Sequence, residues 1–211
     1  MNKELPIIFS TEMVKAILSG RKTQTRRIIK QQKDFALNVK VGWIPKAFND
    51  GSNQYAFWYD SKYTIPAFRC PFGKVGDKLW VRETWQTTKG LFGDDDDAFS
   101  YLYKADNPSG KYPNFTIEKW KPSIFMPKFA SRITLEITDI RVERIQDISD
   151  KDVEAEGFTT SHYYCDEKVG HVCTSGRDLF INRWNWLNAK RGYSWENNRF
   201  VWVIEFKKLE K

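Results

Sequence analysis

The chain has 211 residues, of which 41% are hydrophobic, so it can bury a sizeable core and is expected to form one domain with insertions. Its three cysteines argue against a secreted disulfide framework, residues 1–6 lack the apolar core of a signal peptide, and no apolar run reaches membrane-spanning length. The net charge of +7 favours an anionic partner without requiring one. We therefore expect a cytoplasmic protein with no membrane partner.

The first predicted elements are a short strand and a helix. Residues 7–9 are apolar and predict the strand, and Ser10 follows as a helix N-cap before apolar residues that repeat every four positions. Gly20 predicts the end of the helix because glycine tolerates the left-handed conformation that closes one. Residues 20–27 then place four cations and two threonines in a segment predicted to continue as a strand.

This basic segment poses a problem of both charge and geometry. Its side chains alternate between two faces in an extended chain, with Thr23, Thr25 and Arg27 on one and Lys22, Gln24 and Arg26 on the other. Four neighbouring cations repel one another, which indicates an anionic ligand or partner carboxylates nearby. Lys22 and Thr25 can converge only if the chain kinks after Gly20, or if Lys22 still belongs to the turn.

The middle of the chain predicts one clear strand between two insertions. Residues 31–69 indicate an inserted hairpin or meander, and residues 86–120 a second, turn-rich insertion. Between them, residues 78–85 predict a strand with Leu79, Val81 and Glu83 on one face. Glu83 is then either at the solvated end of this strand or turned inward for a functional reason.

The last third of the chain predicts two strands and two helices. Residues 132–138 alternate cleanly between apolar and polar, and Ser149 caps a short helix that carries Glu156 before Gly157. Residues 178–187 predict an amphipathic helix, and residues 200–206, apolar on nearly both faces, predict a central strand. Strands outnumber helices without regular alternation, which predicts an α+β, β-rich fold: a small mixed barrel with two or three helices.

Lys22, Thr25 and Glu156 are the residues that could carry chemistry. A threonine hydroxyl needs a base beside it to act as a nucleophile, and a lysine can be that base if burial or neighbouring cations lower its pKa. A carboxylate is then needed to orient the lysine or to pass a proton to a leaving amine. The alternative is a basic strand edge with surface charges only.

The stretch from Ile17 to Arg27, Ile-Leu-Ser-Gly-Arg-Lys-Thr-Gln-Thr-Arg-Arg, resembles the opening motif of the ASCH family, a branch of the PUA-like β-barrels. The Gly76-Asp77 turn into a strand and the closing residues 203–206 are similar to later parts of the same pattern. The resemblance covers about a third of the chain, and the chain looks like a longer, phage-associated member. It implies one PUA-like domain over residues 1–211, with insertions at about 31–69 and 86–120.

The resemblance also implies a function and a site. Small bacterial members of the family remove the acetyl group from acetylcytidine, and their proposed catalytic residues correspond to Lys22, Thr25 and Glu156. We expect an RNA or modified-nucleoside ligand in a basic cleft between residues 20–27 and the Glu156 helix, without a cofactor. The expected binding residues are Arg21, Thr23, Arg26, Arg27 and Glu83. Arg26 replaces an apolar residue of the small enzymes, and the insertions could reshape the cleft.

Two alternatives to this hydrolase remain open, a non-catalytic RNA-binding module and a ribonuclease on single-stranded RNA. A metal site is a separate question. His162, Cys165, His171 and Cys173 share one predicted loop, but their spacing is not that of a standard zinc site. We therefore expect this loop to hold no metal.

Overall fold

The structure, a computed structural model, describes residues 2–30, 44–47, 54–59, 63–64, 68–88, 101–113, 115–159 and 175–210, with the backbone alone at 44–47, 54–59, 63–64 and 68. Within these ranges, no helix is both long and apolar enough to cross a membrane.

Short strands dominate the described residues, and the α+β, β-rich class is confirmed. The helices are α1 (Thr11–Leu18), α2 (Asp150–Ala155) and α3 (Gly176–Asn188). The strands are β1 (Glu4–Ile8), β2 (Gln24–Ile28), β3 (Ile44–Ala47), β4 (Gln54–Tyr59), β5 (Tyr63–Thr64), β6 (Phe68–Arg69), β7 (Lys78–Arg82), β8 (Trp85–Thr87), β9 (Tyr101–Tyr103), β10 (Thr134–Arg144) and β11 (Phe200–Leu209).

The main sheet has five strands in the order β1-β7-β10-β11-β2. β1 runs parallel to β7, whereas the other neighbours are antiparallel, and the long β10–β11 pairing shifts register between Ile137 and Asp139. Val201, Trp202, Val203 and Ile204 of β11 are all fully buried, as the two-sided apolar pattern predicts.

The two edges of this sheet approach each other. Arg27 on the edge strand β2 donates a hydrogen bond from Nη2 to the carbonyl of Ile8 at the end of the other edge strand, β1, over 2.7 Å. Phe9, the next residue, packs against Phe206 of β11 with ring centroids 6.1 Å apart. The sheet therefore curls toward a barrel, and a side chain rather than backbone pairing spans the gap between the described edge strands.

Apolar clusters cover both faces of β11. Trp202, Ile204 and Phe206 pack into the interior of the curled sheet, which also contains Phe9. Val201 and Val203 point to the opposite face, where they meet residues of α2 and α3. The side chains of β11 from Phe200 to Ile204 therefore enter the two cores alternately, and the strand joins these cores.

The predicted insertions contain small sheets of their own. β3, β4 and β5 form an antiparallel meander with β6 paired to β4, which agrees with the predicted hairpin or meander, and β8 pairs with β9. The strand predicted over 78–85 ends at Arg82, because the chain leaves β7 and restarts as β8 beside a different partner. The division into one domain with two insertions stays a prediction.

Local signals place the helix ends well. The Ser10 hydroxyl accepts from the Met13 amide at the start of α1, and Gly20 beyond its end has φ +75°. Ser149 and Asp152 form a reciprocal capping box on α2, and Glu156 is its C-cap residue. The predicted start of the third helix is two residues late, since α3 begins at Gly176.

Candidate functional site

A buried ion pair joins the basic segment to the end of α2. The Lys22 Nζ lies 2.5 Å from Glu156 Oε2 and also donates to the Glu156 backbone carbonyl over 2.9 Å. The Lys22 side chain is 0% exposed and that of Glu156 is 3% exposed. The structure thus brings two of the three predicted catalytic side chains into direct contact.

The backbone around this pair explains how it forms. Lys22 lies before the first residue of β2, Gln24, and its amide donates to the Ala16 carbonyl of α1 over 3.0 Å. The Lys22 and Glu156 backbones form an isolated antiparallel bridge, and the Thr23 amide donates to the Ala155 carbonyl over 2.8 Å. Lys22 therefore lies between the end of α1 and β2, in a bridge to Glu156, and its approach to Thr25 stays a prediction.

Gly157 permits this close approach of α2 to the basic segment. Its φ is +94°, a conformation that disfavours every residue with a Cβ. A Cβ at this position would lie 3.0 Å from the Cβ of Ala16 and 3.3 Å from that of Lys22. The glycine after Glu156 is thus required both by the turn and by the packing.

Thr25 lies on the side of β2 that faces the interior of the curled sheet. It is 2% exposed and pairs across strands with Ile204, and such partners share a face. Phe9 belongs to the same interior, and its ring centroid is 5.9 Å from Lys22 Nζ and 5.1 Å from the Arg27 guanidinium. Lys22, Thr25 and Arg27 therefore approach the same side.

Arg26 points to the other face of β2 and is surrounded by carboxylates. Its Nη2 lies 3.1 Å from Glu143 Oε2 and 3.3 Å from Asp152 Oδ2, and its Nη1 lies 3.5 Å from Glu156 Oε1. Its Nη1 also donates to Gln24 Oε1 over 2.5 Å. These partner carboxylates resolve the charge repulsion that the sequence indicated. The predicted contact of Arg26 with a ligand stays a prediction.

The carboxylate cluster continues onto β10 and β11. Arg141 on β10 pairs with Glu143, with Glu205 and, over 2.9 Å, with Asp152. Gln24 donates to both Asp152 and Glu205, which ties β2 to the same group of acids. We call this set the acidic network; its members are Gln24, Arg26, Arg141, Glu143, Asp152 and Glu205.

The environment lowers the pKa of both Lys22 and Asp152, for different reasons. Burial lowers the pKa of Lys22, the charge of Glu156 opposes this, and Arg27 and Arg26 lower the pKa further. Burial raises the pKa of Asp152, but hydrogen bonds from Gln24 and Ser149 and the charge of Arg26 outweigh it and lower the pKa to about 2. The environment therefore favours a neutral amine at Lys22 and a charged carboxylate at Asp152.

The second carboxylate oxygen of Glu156 is the unusual atom of the site. Oε1 is buried and has no hydrogen-bond partner among the described residues, although the Arg26 guanidinium is 3.5 Å away. Buried polar atoms are nearly always hydrogen-bonded, so an unbonded one needs an explanation. A proton or a ligand atom is the kind of partner that such an oxygen accepts.

The remaining predicted binding residues lie apart from the ion pair. Arg21 is exposed; its Nε donates to the Ser19 hydroxyl over 3.0 Å and its Nη1 to the Gly157 carbonyl over 3.4 Å. Thr23 is also exposed, and its carbonyl accepts from the Phe206 amide over 2.9 Å. Both residues are direct neighbours of Lys22 along the chain, with exposed side chains.

Glu83 is turned inward, the second of the two predicted placements, and it has a partner of its own. It is 1% exposed and receives two hydrogen bonds from Arg132, over 2.9 and 3.1 Å. Arg132 also pairs with Asp106 over 2.7 Å and stacks 4.0 Å from the Tyr103 ring centroid. Burial raises the pKa of Glu83, and Arg132 opposes that shift.

Sequence reasoning missed Arg141, Glu143 and Asp152 as parts of the site. Asp152 gave a helix-capping signal only, and Arg141 and Glu143 are outward-facing positions of an alternating strand. A possible signal was the run of charged residues at alternate positions of β10, Asp139, Arg141 and Glu143. Assigning them as partners would have required the strand order.

The four residues of the predicted His and Cys loop lie outside the described residues: His162, Cys165, His171 and Cys173. The acidic run at 94–97 and the turn at 49–53 also lie outside them. Elsewhere in the described part of the chain, no group of three or more acidic, histidine or cysteine residues has a geometry suited to a metal ion.

The comparisons with known proteins add little to this geometry. No family model and no curated protein matches the chain. Among solved structures, a match is found to an ASCH domain from Lactobacillus crispatus JV V101, with a TM-score of 0.39 and 10% sequence identity over 98% of this chain and 79% of that chain. At this TM-score and identity the match assigns no family and no function.

Proposed function

We propose that the chain is an ASCH-type amidohydrolase that removes an acyl group from the exocyclic amine of a modified nucleoside. The observation that carries the proposal is the buried Lys22–Glu156 pair, with one unbonded carboxylate oxygen. It supplies a base and a proton carrier in contact with each other, and Lys22 belongs to the same basic segment as the buried, interior-facing Thr25. Structural ion pairs usually satisfy both carboxylate oxygens, and this one does not.

In the proposed mechanism Lys22 acts in its neutral form, which its environment favours. Burial disfavours the lysine charge, and Arg26 and Arg27 disfavour it further, while Arg26 compensates the charge of Glu156. A neutral lysine amine can accept the proton of a threonine hydroxyl, which a lysine ammonium cannot. The direction of the Lys22 pKa shift therefore matches the role of a base.

Attack by Thr25 Oγ1 on the acyl carbon transfers its proton to Lys22 Nζ and forms a tetrahedral oxyanion. Arg27 or Arg21 supplies the positive charge that stabilises the oxyanion. The carbon–nitrogen bond then breaks, and the proton moves from Lys22 across the 2.5 Å contact to Glu156 and on to the leaving amine. Water hydrolyses the threonine ester, so amide plus water gives free nucleoside plus carboxylate.

The direct test is incubation of the purified protein with acetylcytidine and chromatographic measurement of cytidine. Lys22→Ala and Thr25→Val should abolish release, whereas Thr25→Ser should retain it because it keeps the hydroxyl. Glu156→Gln should lower kcat/KM by about 10²- to 10⁴-fold, the usual contribution of a positioned proton carrier. No release of cytidine by the wild-type protein would reject this substrate.

A second candidate function is binding of RNA without chemistry. The observation that favours it is the second acceptor of Lys22, the Glu156 backbone carbonyl, since a lysine that holds a helix end can be purely structural. Exposed Arg21 would then contact phosphate. Such binding should weaken steeply with salt, because phosphate contacts release counterions. RNA affinity that does not change with salt would contradict it.

A further inference from the structure

Arg26 differs from the other cations of the basic segment in what surrounds it. Its side chain is 1% exposed, and it contacts carboxylates from β10 and from both ends of α2. A guanidinium offers five donors in a fixed plane, so it can hold several carboxylates at once in defined directions. Among those carboxylates, Glu156 also contacts Lys22.

The geometry divides the two oxygens of Glu156 between two cations. Oε2 accepts from Lys22 over 2.5 Å, and Oε1 faces Arg26 Nη1 at 3.5 Å. Arg26 cannot lose its charge in a protein, whereas Lys22 can. When Lys22 is neutral, Arg26 is therefore the nearest permanent positive charge to the Glu156 carboxylate.

We propose that Arg26 is a positioning residue of this site: it holds the Glu156 carboxylate against Lys22 and balances its negative charge when Lys22 is neutral. This inference rests on the proposed function. In this role Arg26 acts on the reaction only through the Glu156 carboxylate. The acidic network fixes the direction of the Arg26 side chain, because Glu143 and Asp152 occupy the other edge of the guanidinium.

Lys22 is in contact with Glu156, and burial lowers the pKa of Lys22 while the charge of Glu156 opposes this. Arg27 and Arg26 of β2 lower the pKa further by repelling the ammonium form. The other charged groups packed around the pair are Arg141 and Glu143 of β10, Asp152 of α2 and Glu205 of β11.

The experiment compares wild type with Arg26→Gln and Arg26→Lys in two readouts. One is the pH titration of the Lys22 side chain by heteronuclear NMR, and the other is the pH profile of kcat/KM on acetylcytidine. In Arg26→Gln, Lys22 should titrate at higher pH, and kcat/KM should fall by about tenfold at neutral pH but recover at alkaline pH. Arg26→Lys should restore most of the wild-type behaviour because it keeps the charge.

Glu143→Gln should shift the Lys22 titration in the direction opposite to that of Arg26→Gln. It should also disturb the fold less than Arg26→Gln, because the Glu143 side chain is 24% exposed. Removing this negative charge should move the Lys22 titration to lower pH. The proposal is overturned if the Lys22 titration is unchanged in both variants, or if Arg26→Gln lowers activity equally at every pH. If wild type releases no cytidine, the proposed function fails, and the NMR titrations alone decide the role of Arg26.

Discussion

Two buried glutamates of this protein are each paired with a cation, but the pairs differ in how completely the carboxylate is bonded. Both oxygens of Glu83 accept hydrogen bonds from the single guanidinium of Arg132. Glu156 has one oxygen on Lys22 and the other without a hydrogen bond in the described structure. The Glu83 carboxylate is therefore fully bonded, whereas Glu156 Oε1 lies 3.5 Å from Arg26 Nη1 without a hydrogen bond in the described structure.

The cations of the two pairs, Arg132 and Lys22, also differ in how strongly they keep their charge. Arg132 keeps its charge under all conditions, is 25% exposed and also pairs with Asp106, so its environment raises its pKa despite burial. Lys22 is fully buried, and burial lowers its pKa. Under the proposed function, the Glu83 pair has a structural role and the Glu156 pair exchanges protons. Four experiments can break or sharpen this distinction.

The largest effect is expected for Lys22→Met, which leaves the Glu156 carboxylate buried beside a methyl thioether. Breaking one half of a buried ion pair costs about 3–5 kcal/mol of unfolding free energy, measured by chemical denaturation. The double variant Lys22→Met with Glu156→Leu should recover most of that stability without recovering acetylcytidine hydrolysis. Recovery of activity in the double variant would show that the pair is structural only.

The next effect is expected for Arg132→Leu, which leaves Glu83 without its two hydrogen bonds. We expect a loss of about 3 kcal/mol in unfolding free energy, because the carboxylate remains buried. The kcat/KM of the folded fraction on acetylcytidine should stay within about threefold of wild type. A loss of activity that exceeds the loss of folded protein would place Glu83 in the active site and erase the distinction.

A smaller effect concerns the acidic network at low pH. Because the environment lowers the pKa of Asp152 from 3.8 to about 2, its ionised form stabilises the fold above pH 4. This contribution, about 2 kcal/mol, is lost as the pH falls from 4 toward 2. The pH dependence of unfolding free energy in this window should be shallower in Asp152→Asn. An unchanged slope would show that Asp152 is not stabilised by Gln24, Ser149 and Arg26.

The smallest effect is expected for Gly157→Ala, compared with Gly192→Ala as its control. Both glycines have positive φ, so each substitution should cost about 1 kcal/mol in backbone strain. A Cβ at Gly192 meets nothing within 4 Å, whereas one at Gly157 meets Ala16 and Lys22. Gly157→Ala should therefore lose more stability and should also lower kcat/KM. Equal effects of the two substitutions would show that the α2 turn does not position Lys22.

The sequence by itself determined the elements whose signals are local. The Ser10 and Ser149 caps, the glycines at 20 and 157 and the apolar pattern of β11 act within a few residues, and each agrees with the structure. The sequence also selected Lys22 and Glu156 as partners, partly through resemblance to a known motif. The catalytic role of these residues and of Thr25 stays a prediction.

Only the tertiary structure decided which charges meet. Arg26 was predicted as a ligand contact, yet its nearest acids lie on β10 and α2, far along the chain. Arg132 as the partner of Glu83 and the break of the strand at Arg82 were not predicted either. Caps and periodicity depend on neighbours along the chain, whereas an ion pair depends on which strands lie side by side and in which register. That order is set by the packing of the whole core, so the alternation of one strand does not determine it.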